Sequence, residues 1–455
     1  MTRSVTLSKL DIVYLEKCCA DLGVTYGIII CQNMEPDNFL VVHLAKNCEE
    51  DVELLQKASE IEDLQGPSSI EDISTQALAT QWISACKMCP GTFNVQGVFV
   101  TSDKQNIDDD QIFIAGKKML HDMHILLNQG NNLCASIDEG NMPILFLAYS
   151  TASKEAVCKA YTHNTMGGSF ASMNCHFLDK PIDWHAFECC YELDNIFPIF
   201  DDTQKINIEN QFHRAILAIK RSLSESEIFI ENGCVDESVS LEEFVTKNRK
   251  REVNGNYKAT IFLPVKCNQS SEHFVKIRKF KGTIRLSGVI SSRIWCNNRN
   301  TLGDVQRFMR NDILRSLAAR IQVYCDGLTD PHVSNDAIFI SEPPRRVFFN
   351  LFVDGTMNPI QFSEYIFRGE APTVAVAQAK QVLDLDISTE NIVADMEGLP
   401  DEDIFSNISL SNLQKTSTQP IRNSAKYLTR SMYMLSIALT LLVLLFSIWL
   451  HYFFP

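Results

Sequence analysis

The sequence predicts an α/β (α+β) protein, with a body of two globular domains and a single C-terminal transmembrane helix. Three observations predict it. Apolar residues make up 45% of the 455-residue chain and charged residues 21%, an ordinary globular balance that excludes disordered, collagen-like and multi-span membrane classes. Short runs rich in β-branched residues alternate with longer amphipathic ones. Finally, no residue from Met432 to Trp449 is charged, and the apolar run continues through Phe454.

The elements follow in chain order. Residues 8–22 read as a short helix, and 24–31 and 38–44 as strands separated by turn chemistry at Pro36-Asp37-Asn38. The acidic stretch 49–75, broken by Gly66-Pro67-Ser68-Ser69, reads as a surface loop. A helix through Trp82 and Cys86 ends near Pro90-Gly91, a buried strand covers 95–101, and an amphipathic helix covers 111–128. Strands are predicted at 143–149, 156–161, 173–178 and 187–193, and a helix over 205–223 closes the first α/β unit. The polarity of 226–256 predicts a linker. Its basic run Lys247-Asn248-Arg249-Lys250-Arg251 reads as a solvated loop rather than a phosphate or import patch. Strands at 258–264, 282–295 and 346–353 follow, with helices over 302–324 and 372–384. The 302–324 helix opens on a capping-box-like Thr301-Leu302-Gly303-Asp304. The expected organisation is a first domain over 1–225, the linker 226–256, a second α+β domain over 257–400, a Ser/Thr/Asn-rich stalk over 401–430 and the membrane span over 431–454.

A helix of 23 residues spans roughly 34 Å, enough for a hydrocarbon core of about 30 Å. Tyr427 and Tyr433 flank one end of the apolar run, and Trp449 and Tyr452 the other. The N-terminal segment has no uninterrupted apolar stretch of the signal-peptide kind. After Asp403 the only charged residues are Lys415, Arg422, Lys426 and Arg430, all before the span, which predicts a cytosolic body held by a tail anchor. The absence of a basic tail after the span favours the endoplasmic reticulum over the outer mitochondrial membrane. Net charge is −15, so a nucleic-acid-binding surface over the whole body is excluded. The fifteen cysteines are irregularly spaced, odd in number and set mostly in apolar runs, the pattern of reduced core thiols.

Searches for chemistry yield no catalytic, cofactor-binding or metal-ligating assignment. Gly116-Lys117-Lys118 lacks the first Gly and the Ser/Thr of a phosphate-binding loop. Gly167-Gly168-Ser169-Phe170-Ala171 lacks the last Gly of a nucleophile elbow. Cys86 and Cys89 have the spacing of half a zinc site or a redox pair, yet no second pair matches them and they fall at a helix end; two thiols facing a core is the preferred reading. His121 and His124 share a helix face at i, i+3 near Asp122, with no third ligand placed by the sequence.

The order of elements around Tyr26-Gly27-Ile28-Ile29-Ile30-Cys31-Gln32 and Asn94-Val95-Gln96-Gly97-Val98-Phe99-Val100 resembles the MPN fold of zinc isopeptidases. Active members carry His-x-His-Pro after such a strand, with an Asp completing the zinc site. Here the run is Thr101-Ser102-Asp103 and no His-x-His exists in the chain, which implies a first domain without metal ligands. A second resemblance spans nearly the whole length. It rests on Trp82, Pro90-Gly91, Gly97-Val98-Phe99, Cys190-Tyr191-Glu192-Leu193-Asp194, Asp312 through Arg320, Pro344-Arg345-Arg346-Val347-Phe348 and the terminal span. This pattern is similar to the odorant-response-abnormal family, fourth-named member. The resemblance implies a non-enzymatic adaptor at the reticulum membrane. Its implied partners are the cysteine protease specific for the ubiquitin-fold modifier, itself MPN-containing, and multi-span receptors of the odorant type. No cofactor and no nucleic acid are implied. The competing reading is an enzyme at the membrane, either a thiol catalyst through Cys86 and Cys89 or a cryptic isopeptidase.

Overall fold

Burial at nearly every position of its central strands is what shapes the first sheet. The computed structural model describes residues 3–18, 24–34, 37–48, 67–103, 110–129, 142–164, 167–200, 208–231, 233, 236–248, 256–263, 280–328, 343–353, 356–367 and 369–397. Eight strands form it: β1 (Ser4–Ser8), β2 (Thr25–Met34), β3 (Asn38–Lys46), β4 (Asn94–Ser102), β5 (Ile144–Ser150), β6 (Glu155–Thr162), β7 (Ser169–Ser172) and β8 (Asn174–Leu178). Their spatial order is β7-β6-β5-β4-β2-β3-β1-β8, mixed parallel and antiparallel. Both faces are apolar. Ile29, Phe99, Leu145 and Leu147 join Val5, Phe39 and Cys158 on one, and Ile28, Ile30, Val98 and Phe146 lie on the other. The two edge strands β7 and β8 are separated in sequence by Met173 alone, whose N–H donates to Cys158 O, so the sheet curls until its edges nearly meet.

Helices α1 (Lys9–Cys18), α2 (Thr75–Met88) and α3 (Asp110–Gln129) pack around this sheet. A second sheet, ordered β10-β11-β9-β12, is built on a 17-pair antiparallel ladder between β9 (Trp184–Phe200) and β12 (Phe280–Asn297), with β10 (Glu227–Ile230) and β11 (Asn256–Phe262) beside it. Across this sheet lies α6 (Leu302–Leu328), preceded in the chain by α4 (Ile208–Ser224) and α5 (Leu241–Asn248). The α6 start is the predicted reciprocal cap, with Thr301 N–H on Asp304 Oδ2 at 3.0 Å and Asp304 N–H on Thr301 Oγ1 at 3.2 Å. A third sheet of β13 (Arg345–Val353), β14 (Thr356–Ile366) and β15 (Ile392–Val393), with α7 (Thr373–Leu383), shares the core of the first. Residues Met1–Glu397 form one compact unit.

Several elements differ from the sequence reading. The strand expected over 173–178 is β8, but an unexpected short strand, β7, precedes it on the opposite sheet edge, because the chain crosses the closing seam at Met173. The helix expected to close the first unit, α4, instead packs on α6. Its Phe212, Ile216, Ile219 and Leu223 form a stripe at helical spacing that joins the Ile313, Leu317 and Ile321 cluster. The stretch 226–256, read as a linker from its polarity, contains β10 and α5, and β9 pairs with β11 and β12 from beyond it. Among the described residues no helix is long and apolar enough to cross a membrane. The stalk 401–430, the span 431–454, residues 49–66 of the acidic loop and Arg249-Lys250-Arg251 lie outside the described residues.

Candidate functional site

The residues singled out for chemistry occupy ordinary structural positions. At the end of β4, Thr101 Oγ1 donates to Thr25 O at 3.3 Å and Ser102 O accepts from Thr151 N at 3.0 Å, so the strand end is bound into its neighbours. Cys89 is buried at the C-terminus of α2, where its N–H closes on Ala85 O, and Cys86 packs against the first core. Gly167 and Gly168 take φ of +92° and +86° in the turn before β7, not at a strand-to-helix elbow. Burial pushes the thiols of Cys31, Cys158 and Cys296 well above their ordinary range and those of Cys48 and Cys189 up to about 11 and about 12. A thiol held protonated is a poor nucleophile and a poor metal ligand. His121 and His124 meet His163, a partner the sequence did not place. Among the described residues, no three His, Cys, Asp or Glu side chains are arranged around one ion position.

The strongest electrostatic feature is elsewhere and is buried. The Arg346 guanidinium on β13 makes a bidentate pair with Asp312 on α6, Nη1 to Oδ2 at 2.8 Å and Nη2 to Oδ1 at 3.0 Å. Both side chains are almost fully shielded, at 1% and 0% exposure. Burial alone would weaken the Arg346 charge; Asp312, with Glu397 and Tyr365 nearby, more than offsets this and holds the guanidinium above its ordinary value. Further hydrogen bonds tie the pair to its surroundings. Arg346 Nε donates to Ser363 Oγ at 2.9 Å and Nη1 to Ser291 O at 3.3 Å, while Asp312 Oδ1 accepts the Gly91 N–H at 2.8 Å. One turn along α6, Arg315 donates to Pro90 O at 3.1 Å, Phe93 O at 2.6 Å and Asn94 Oδ1 at 2.5 Å.

A third arginine completes the joint. Arg320 pairs with Glu397, whose carboxylate also accepts from Ser291 N–H at 3.0 Å and Arg346 N–H at 3.1 Å. The joint thus ties the 89–93 turn, α6, β12, β13 and the 395–397 turn into one polar knot. Gly91 is required there by close approach: a Cβ would lie 2.4 Å from Asp312 N and 2.5 Å from Phe308 O. Pro90-Gly91, Asp312 through Arg320 and Arg345-Arg346-Val347-Phe348 are segments on which the whole-length resemblance rests. The fold brings these distant segments together as a scaffold.

A recess lined by none of these joint residues opens beside the α6 start. It is a cleft of about 690 Å³ lined by Ser4, Thr6, Asn38 and His176 of the first sheet and by Arg299 and Arg307 near the α6 start. Beneath it, Gln32, Asn297 and Asn300 hydrogen-bond to one another, joining β2 to the β12–α6 turn. Its lining comes in short pieces from separate segments, so no motif could have announced it.

Comparison with known proteins bears on the whole chain. A protein of Drosophila melanogaster described as "Protein odr-4 homolog" is 41% identical over 493 aligned positions, which cover 99% of each chain. Among solved structures, UfSP from C. elegans aligns with a TM-score of 0.42 and 8% identity, over 85% of this chain and 57% of that one. A solution structure of a Desulfitobacterium hafniense protein aligns with a TM-score of 0.22 and 10% identity, over 38% of this chain and 94% of that one. The family model described as "Odorant response abnormal 4-like" matches residues 27–394. With that match and a relative this similar along its full length, the chain belongs to the odorant response abnormal 4-like family.

Proposed function

We propose that this protein is a non-enzymatic adaptor of the endoplasmic reticulum membrane that supports the folding or trafficking of odorant-type receptors. The body faces the cytosol, and the apolar run 431–454 holds it at the membrane. Its first half is an MPN-like domain without metal ligands, and its cytosolic partner is a second MPN-containing protein, the cysteine protease specific for the ubiquitin-fold modifier. The observation that carries this reading is the placement of residues on which the whole-length resemblance rests. Asp312, Arg346 and Gly91 are bonded to one another in the interior, and Arg315 is bonded to the adjoining segment 90–94, away from solvent, as befits a scaffold that presents surfaces. Tethering such a scaffold to a membrane raises the local concentration of whatever it binds.

The test uses the full chain expressed in cells. The protein is expected in the carbonate-resistant membrane fraction, with a variant lacking 432–455 released to the supernatant and still capturing the protease. Asn268 and Asn407 sit in glycosylation sequons and are expected to remain bare. Glycan on either asparagine overturns the orientation, and isopeptidase turnover by the purified full chain overturns the adaptor reading in favour of the enzyme.

A further inference from the structure

Where β3, β1 and β8 lie side by side, the first sheet has two unlike faces. Val5, Leu7, Phe39, Val41 and Cys175 turn into the core. Their alternates Ser4, Thr6, Asn38 and His176 form the floor of the cleft of about 690 Å³. The ladders place Thr6 beside both Leu40 and His176, so a hydroxyl and an imidazole stand in one row. The facing wall is the β12–α6 turn, and it is locked. Asn300 Oδ1 accepts from Gln32 Nε2 at 3.1 Å and from the Asn297 N–H at 2.9 Å, and the Arg299 N–H donates to Asn297 Oδ1 at 2.9 Å. Gln32, Asn297 and Asn300 are all buried, so the backbone that carries Arg299 is fixed from behind by paired amides. The Arg299 and His176 side chains are exposed. Among the described residues neither the guanidinium nor the imidazole makes a hydrogen bond or ion pair. Arg307, in the second turn of α6, lines the same wall and is held by Asp304, Nη2 to Oδ1 at 2.7 Å.

We propose that this cleft binds a phosphate monoester, its phosphoryl oxygens on Arg299, His176 and Thr6 and its esterified group over Met34, Leu40 and Leu178. Two arginines against one aspartate leave the charged lining at +1, in a chain whose net charge is −15. The α6 start adds nothing to this, because its N–H groups are taken: Thr301 by Asp304, Leu302 by Val239 O at 3.0 Å and Gly303 by Glu237 O at 3.0 Å. The positive charge comes from side chains. A guanidinium presents a fork of donors matched to phosphate, and the imidazole and hydroxyl add donors from the opposite wall. The cleft is larger than a bare phosphate fills and falls in the range of small-molecule sites. Met34, Leu40 and Leu178 give the remaining space an apolar lining, so the esterified group carries carbon surface. The lining's phenyl ring, Phe39, is 2% exposed and offers no face to a nucleobase. A phosphorylated small molecule and a phosphorylated peptide side chain share this chemistry. The site binds without making or breaking a bond, and it does not depend on the adaptor reading.

The full chain, purified in a non-ionic detergent, is titrated by calorimetry with inorganic phosphate, butyl phosphate and an acetylated, amidated pentapeptide centred on phosphoserine. At least one of the two esters is expected to bind about tenfold or more tighter than inorganic phosphate, and the tighter ester names the source. The same peptide without its phosphate does not bind. Arg299→Gln weakens ester binding about tenfold or more, and Arg299→Lys, which keeps the charge and loses the fork, weakens it less. His176→Gln also weakens it. Arg285→Gln, on the β9–β12 ladder, leaves it unchanged. Arg299 and His176 are exposed, so thermal midpoints of their variants are expected to match the parent and show that binding is read on folded protein. Esters that bind no better than inorganic phosphate overturn the site, as does undiminished binding in folded Arg299→Gln.

Discussion

At the scale of single residues, the Asp312–Arg346 pair is the point where an exchange of one atom has the largest expected effect. Both charges are out of water, and each is the other's main compensation. Asp312→Asn leaves the guanidinium buried beside a neutral amide and replaces one of the two acceptor oxygens by an NH2 donor, at a cost of about 3–5 kcal/mol. Replacing both partners, Asp312→Leu with Arg346→Met, removes the uncompensated charge and is expected to be less destabilising than Asp312→Asn alone. Denaturant unfolding of the three chains measures this order. Asp312, Arg315 and Arg346 were visible in the sequence only as parts of a family pattern. Nothing in a single sequence says that Asp312 faces Arg346 across 34 positions and Gly91 across 221.

Among elements, the close contact of the 89–93 turn with α6 depends on a missing side chain. Gly91→Ala places a methyl group against α6 backbone, which cannot rotate away, and is expected to cost about 1–3 kcal/mol, read as a lowered thermal midpoint. Elements with strong periodicity were legible: α2, α3, α6 and α7 lie within a few residues of where their patterns predicted them. The misses have separate causes. β1 has only Val5 and Leu7 to mark it, too few for a pattern, and is held by pairing with β3 and β8 on either side. β14 contains Pro359, which demotes a strand when read locally. α5 is eight residues long and polar, with Leu241 and Phe244 its only buried positions. The candidate sites were less legible still: the cleft and the His163 partner arise from chain crossings that no local pattern encodes.

At the scale of the whole molecule, two buried carboxyls give the stability a component that falls as pH rises through the mildly acidic range. Burial raises Glu364 from 4.5 to about 7, against the opposing Tyr365 N–H, and raises Asp11 from 3.8 to about 6, against the Ser8 hydrogen bonds. A carboxyl whose folded-state pKa lies above its unfolded value binds more protons when folded. The folded state therefore loses stability as pH climbs from 4.5 to about 7 for Glu364 and from 3.8 to about 6 for Asp11. Glu364→Gln removes the first of these slopes and gains on the order of 1–3 kcal/mol over the parent above pH 7. Urea midpoints at a series of pH values report it, and an unchanged slope in the variant would sink the assignment. The Glu397 clamp has a mechanical consequence. Tension on the chain beyond Gly398 is delivered first to a carboxylate bonded to Arg320, Ser291 N–H and Arg346 N–H, close behind the two-residue strand β15. A pull at that point is borne by α6, β12 and β13 together, so the load enters at the centre of the body and cannot peel it strand by strand from a loose end.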